Sequence, residues 1–159
     1  MKKKILLGLS GSVACSKAEL FVIQNSEKFE FKFLSTHNGL NYLSEEFIKS
    51  NNIYSDWSEL SGSPHIELAR WADEIIIYPA SANLISKISS GIADDLLTST
   101  ILMFSKPIYI CPAMHEEMYM NSQIQSNVLN LSKKHYIVGP RYGNLDTVSY
   151  THLRAHETS

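Results

Sequence analysis

The 159-residue chain has little cysteine: Cys15 and Cys111 stand far apart, without metal-type spacing or a disulfide framework, which favours a reducing cytoplasm. Long hydrophobic runs are missing too. None approaches the ~20 residues of a membrane span, so no membrane is an expected partner. Lys2-Lys3-Lys4 before Ile5-Leu6-Leu7 resembles the start of a secretory leader, but the run meets Gly8 and Ser10 almost at once and reads as a first strand. Neither sign of charge dominates: the formal net charge is −2 with no basic stripe, which argues against nucleic acid. A glycine-rich phosphate loop, an internal repeat and a low-complexity tract are all lacking. What is present is 44% hydrophobic residues in a length that suits one domain with a sizeable core.

The stretch from Glu74 to Thr100 organises the rest. Ile75-Ile76-Ile77-Tyr78 is apolar without alternation, as in a strand buried on both faces of a parallel sheet, and Pro79 is expected to end it. Ser81 and Asn83 follow at once, and Leu84, Ile85 and Ile88 resume at helical spacing. Small polar side chains therefore fall at a strand's carboxyl end and a helix amino terminus. Open α/β sheets bind ligands there, and the N–H groups of a first helical turn favour a phosphate or a polar ring edge.

The same arrangement recurs along the chain. Lys4 to Leu9 reads as a strand, Ser10-Gly11-Ser12 as a tight turn, and Val13, Ala14, Ala18, Phe21, Val22 and Ile23 as a helix. That turn can present N–H groups to an anion or be tight-turn geometry alone, since it lacks the third glycine of a dinucleotide fingerprint. Phe29, Phe31 and Phe33 alternate with Glu30 and Lys32 in a second strand ending at Ser35-Thr36-His37-Asn38. Thr36 is the candidate contact there, while Asn38 reads as the N-cap of one helix through Leu40, Leu43 and Phe47. Residues 51–64 are expected to be loop with at most one short strand, anchored by Ile53, Tyr54 and Trp57. Pro107 to Cys111 makes another buried strand and Lys134 to Val138 the last.

His65 falls in the first turn of a helix that begins after Pro64. The positive helix end disfavours a cation, so a neutral imidazole serving as a base is one reading and a solvated loop histidine the other. Asp94-Asp95 start the helix through Leu96, Leu97 and Ile101 and read as capping charges in preference to a metal site. His115-Glu116-Glu117-Met118 lacks the i, i+4 histidine pair of a zinc helix, so no metal is expected. Met114, Met118 and Met120 suit either a core or the face of a flat organic ligand. After Asp146, TVSYTHLRAHETS has no apolar period and resembles translated cloning sequence. The domain is accordingly set at residues 1–145, with 146–159 as a non-native or disordered tail.

Taken jointly, SGSVA (Ser10 to Ala14), HIELARWAD (His65 to Asp73), PASAN (Pro79 to Asn83), GIADDLLTST (Gly91 to Thr100) and PAMHEEMY (Pro112 to Tyr119) resemble the flavin-containing cysteine decarboxylases. The likeness covers about residues 3 to 145 and points to the branch acting in coenzyme A biosynthesis. It implies an α/β, Rossmann-like (flavodoxin-like) three-layer fold with a central parallel sheet, and bound FMN. It also implies a homo-oligomer, a trimer or dodecamer of trimers, with flavin between subunits. The implied reaction is decarboxylation of 4'-phosphopantothenoylcysteine to 4'-phosphopantetheine, with no net redox change because the electrons taken by FMN are returned. By motif, His65 is the catalytic base. Ser10, Gly11, Ser12, Val13, Thr36, Ser81, Ala82, Asn83, Ser99 and Ala113 hold FMN. Met118 and His115, where many members have asparagine, bind substrate.

One departure bears on turnover. Members of the family follow a Gly-x-Leu like Gly143-Asn144-Leu145 with a flap whose cysteine protonates the enethiol intermediate, and here Asp146-Thr147 stand instead. Folding and FMN binding with impaired completion are expected. The competing resemblances are a peptidyl-cysteine decarboxylase of lantibiotic synthesis, which shares PASAN, a non-catalytic flavin-binding regulatory subunit, and a flavin prenyltransferase. HIELARWAD and the lack of an acidic extension favour the first assignment.

Overall fold

A computed structural model describes residues 1–140, and Gly143, Asn144, Leu145 and the segment 146–159, with the expectations set on them, lie outside the described residues. Six strands alternate with helices: β1 (Lys3–Leu9), α1 (Cys15–Asn25), β2 (Phe29–Ser35), α2 (Glu45–Ser50), β3 (Ile53–Tyr54), α3 (Pro64–Trp71), β4 (Glu74–Ala80), α4 (Ala82–Ser90), α5 (Leu96–Met103), β5 (Tyr109–Pro112), α6 (Glu116–Met120), α7 (Ser122–Ser132) and β6 (Tyr136–Ile137). Every strand pairing is parallel, in the order β3-β2-β1-β4-β5-β6. Successive strands step outward from β1 to β3, and the chain then crosses back to lay β4 on the other side of β1. That reversal leaves a crevice at the carboxyl ends of β1 and β4.

The continuous apolar character of the central strands reflects burial on both sides. Ile5, Leu7 and Leu9 face Phe21 and Phe33 in one layer. Leu6, Ile75 and Ile77 pack with Leu84 and Leu97 in the other. Each such side chain contributes about 1.5–3 kcal/mol on leaving water. Gly8 lets α5 close on the sheet, since a Cβ there would lie 2.7 Å from Ile77 Cδ1 and 2.8 Å from Leu97 Cδ1.

Three expectations about local structure are revised. β4 runs through Pro79 to Ala80 rather than stopping at Tyr78. The β4–β5 register shifts between Ile77 and Ala80, and such an irregularity spares proline its missing ladder donor. The single helix expected from Asn38 to Phe47 is a 3-10 turn, Asn38–Tyr42, followed by α2. Ser44 divides them: its extended backbone restarts the helix, its Oγ accepts the Phe47 N–H at 3.1 Å, and Glu19 takes its hydroxyl at 2.6 Å. β6 has two residues, because the Lys134 and His135 N–H groups still donate to Leu131 O at the end of α7. Among the described residues, no helix is long and apolar enough to cross a membrane, and no group of three metal-ligating side chains assembles.

Candidate functional site

The site is built where β1, β2 and β4 end. Ser10 is buried, donates its hydroxyl to Pro79 O at 2.7 Å and accepts the Ser81 N–H at 2.8 Å, so the ends of β1 and β4 are fastened together. Ser81 then caps α4, its Oγ accepting the Leu84 N–H at 3.2 Å. The remaining N–H groups of that first turn face the crevice with the positive end of the helix. From β2, Thr36 donates its N–H to Leu9 O at 2.9 Å, and its Oγ1 accepts the Gly39 N–H at 3.0 Å. This bends the chain so that the Asn38 amide lies against Gly11, where any Cβ would collide with it.

Between these ends lies a cavity of about 440 Å³. Its floor and walls carry Gly11, Thr36, His37, Asn38, Ser81, Ala82, Asn83, Leu84, Lys87, Asp94, Asp95 and Met118. The volume lies in the range of small-molecule sites. At the α5 end Lys87 pairs with Asp94 at 2.8 Å, and its hydrogen bond holds the Asp94 carboxyl below the usual carboxylate range. Asp95 caps α5, accepting the Thr98 N–H at 2.7 Å and the Thr98 hydroxyl at 2.6 Å. The capping reading of the acidic pair thus holds for Asp95, while Asp94 is an ion-pair partner. Carboxylates at this end leave the Gly11, Thr36 and Ser81 end as the favourable place for an anion.

Of the residues singled out from sequence, Gly11, Thr36, Ser81, Ala82, Asn83 and Met118 share this cavity. Ser10 lies behind it as the fastening between strands. Ser12 is buried beside Gly11, with its Oγ accepting the Ala14 N–H at 3.2 Å, and Val13 points to solvent at 53% exposure. Ser99 is buried within α5, and Ala113 is buried with its N–H on Ala80 O at 3.0 Å; neither lines the cavity. His115 is exposed at the start of α6, outside the lining. His65 stands at the start of α3, also outside the lining, with its ring 4.9 Å from that of Trp57 at an interplanar angle of 70°. His37, Asn38 and Lys87 are lining residues that the sequence reading did not select. For Lys87 a signal existed: it follows Asn83 by four residues and so shares its helix face.

Comparison with known proteins bears on what such a cavity holds. The family model described as Flavoprotein matches residues 1–151. The coenzyme A biosynthesis bifunctional protein CoaBC of Vibrio cholerae is 36% identical over 150 residues, covering 89% of this chain and 37% of that protein. The chain thus spans little more than a third of the bifunctional relative's length. Among solved structures, a cysteine-to-serine mutant of a PPC decarboxylase complexed with pantothenoylaminoethenethiol superposes with a TM-score of 0.88 at 30% identity, covering 100% of both chains. The FMN binding protein AtHal3 gives a TM-score of 0.87 at 30% identity over 100% of this chain and 99% of that one.

Proposed function

The chain belongs to the Flavoprotein family, and from that membership we propose that it is an FMN-dependent carbon-carbon lyase decarboxylating 4'-phosphopantothenoylcysteine to 4'-phosphopantetheine in coenzyme A biosynthesis. One observation carries the reading: hydroxyls, side-chain amides and two helix starts converge on a single cavity of about 440 Å³ at the carboxyl ends of β1, β2 and β4. The residues present fit a flavin nucleotide. The Gly11 cradle would be filled by any Cβ, the Gly11, Thr36 and Ser81 end suits a phosphate, and the hydroxyls and the Asn83 amide suit ribityl oxygens and ring edges.

In this reading Gly11, Thr36, Ser81, Ala82 and Asn83 hold FMN, with Ser10 and Ser12 shaping the two turns that carry them. Bound flavin supplies a reversible two-electron acceptor. The protein's own work is orientation and proton handling: His65 accepts the thiol-side proton, His115 donates to the substrate carboxylate, and Met118 covers the ligand. Val13, which faces solvent, retains a contact role only through a second subunit, and the buried Ser99 and Ala113 act from behind the lining. The half-buried His65 and the exposed His115 lie outside the lining within one chain, which supports a homo-oligomer, a trimer or dodecamer of trimers, with the flavin between subunits. Exposed Ile92, Leu102, Met103 and Met120 supply apolar surface for it. Two free, buried cysteines agree with a cytoplasmic setting. We set the flavin-binding unit at residues 1–145.

The test has two arms. FMN added to flavin-free protein should bind with a perturbed visible spectrum, and His65→Asn should abolish CO2 release from phosphopantothenoylcysteine while leaving flavin binding intact. Absence of FMN binding would remove the flavoenzyme reading. CO2 release by His65→Asn would remove the base assignment.

A further inference from the structure

His65 has an unusual environment for a base. Its Nδ1 is buried and has no hydrogen-bond partner among the described residues, although the residue as a whole is only half-buried. A histidine that moves protons ordinarily has its second nitrogen tied to a carboxylate or a backbone carbonyl, and that bond sets the rotation of the ring. No such tie exists among the described residues. What lies against the imidazole is the indole of Trp57, 4.9 Å away between ring centres and inclined by 70°, an edge-to-face arrangement with the directional preference of an aromatic pair.

Trp57 is itself firmly placed. It opens the 3-10 turn Trp57–Glu59, whose capping box uses Asp56 and Glu59. One Glu59 carboxylate oxygen accepts the Ser55 N–H at 2.8 Å and the Asp56 N–H at 2.7 Å, and these two backbone bonds hold that carboxyl below its usual range. The turn closes with Leu60 N–H donating to Trp57 O at 3.2 Å. The indole therefore stands on fixed backbone, although it is 41% exposed and little of the core depends on it.

We infer that Trp57 is the positioning residue of the base: its ring contact sets the rotation of the His65 imidazole, burying Nδ1 and presenting Nε2 as the nitrogen that meets substrate. The inference rests on the assignment of His65 as base. An aromatic contact takes over the orienting task of the missing hydrogen bond. It does so without placing a charge beside the ring.

Trp57→Leu and Trp57→Phe test this. In carbon-proton NMR spectra of flavin-free protein, the His65 ring signals carry a ring-current displacement that Trp57→Leu removes and Trp57→Phe keeps in part. In FMN-loaded enzyme, Trp57→Leu lowers kcat about tenfold, the scale of one aromatic pair, with KM and FMN affinity unchanged, and Trp57→Phe recovers to within about threefold of the parent. Parental kcat in Trp57→Leu, or His65 signals unmoved by it, overturns the inference. An active His65→Asn overturns the base assignment itself and the inference with it.

Discussion

Ser10 and Ser81 are joined across 71 positions of sequence: the Ser10 hydroxyl accepts the Ser81 N–H at 2.8 Å while donating to Pro79 O at 2.7 Å. One side chain thus sets the spacing between two strand ends and aims the start of α4 into the cavity. Ser10→Ala strands the Ser81 N–H, while Pro79 O keeps the Ser10 backbone N–H at 3.2 Å, and should lower unfolding stability by about 1–3 kcal/mol. Urea denaturation measures this. FMN affinity should fall with it, because the α4 amino terminus loses its tether, and an unchanged affinity would place the flavin elsewhere.

Gly11→Ala should separate binding from folding. The added Cβ meets the Asn38 amide at the cavity wall rather than core, so the urea midpoint should hold while FMN affinity drops about tenfold. Flavin fluorescence titration reads the loss.

His135 gives the fold a sensitivity to mild acid. Its Nδ1 accepts the Ile108 N–H at 3.0 Å, a bond an imidazolium cannot make, and burial followed by the nearby Lys134 charge lowers its pKa from 6.5. The folded chain therefore binds this proton less readily than the unfolded one. The contribution is complete above about pH 6.5 and is lost as pH falls below it. Unfolding free energy should decline from pH 7 to pH 5, and His135→Asn, whose Oδ1 can accept the same N–H at any pH in that span, should flatten the decline.

Both thiols should be silent in the folded protein. Cys15 is pushed up to about 11, chiefly by burial, and burial raises Cys111 well above its ordinary value. Ellman's reagent at pH 8 should register neither until denaturant is added. Fast labelling of either thiol in the native state would contradict the packing at β5 or α1.

Neither cysteine lines the cavity and burial keeps both thiols protonated, so in the proposed reaction neither is placed to protonate an enethiol. A polypeptide of these 159 residues should release CO2 while yielding little 4'-phosphopantetheine, with oxidised enethiol products in its place. Mass spectrometry of a single turnover gives the ratio, and a normal 4'-phosphopantetheine yield would show another proton donor at work.

The strands were legible because β1 and β4 are buried on both faces and so read as unbroken apolar runs. The ligand end was legible because short polar residues follow those runs directly, and Gly11, Thr36, Ser81 and Asn83 did meet in one cavity. What escaped depends on contacts distant in sequence. Asn38 looks like a helix cap until Thr36 takes the Gly39 N–H and leaves the Asn38 amide against Gly11. Ser44 restarts a helix inside an apparently continuous period because Glu19, on α1, holds it. Lys87 looks like an ordinary exposed helix lysine until Asp94 returns across the turn at Gly91, whose φ of 71° permits the reversal. The contact between Trp57 and His65 bridges eight positions with no periodicity to announce it.

Each outer strand of the sheet, β3 and β6, is only two residues long. Strands so short offer another polypeptide almost no main-chain template to extend. Among the described residues, the two edges therefore give a second copy little ladder to continue from molecule to molecule. Any contact between copies thus falls to helix faces and loop side chains, where shape and chemistry select the partner and a misaligned neighbour gains nothing from the backbone.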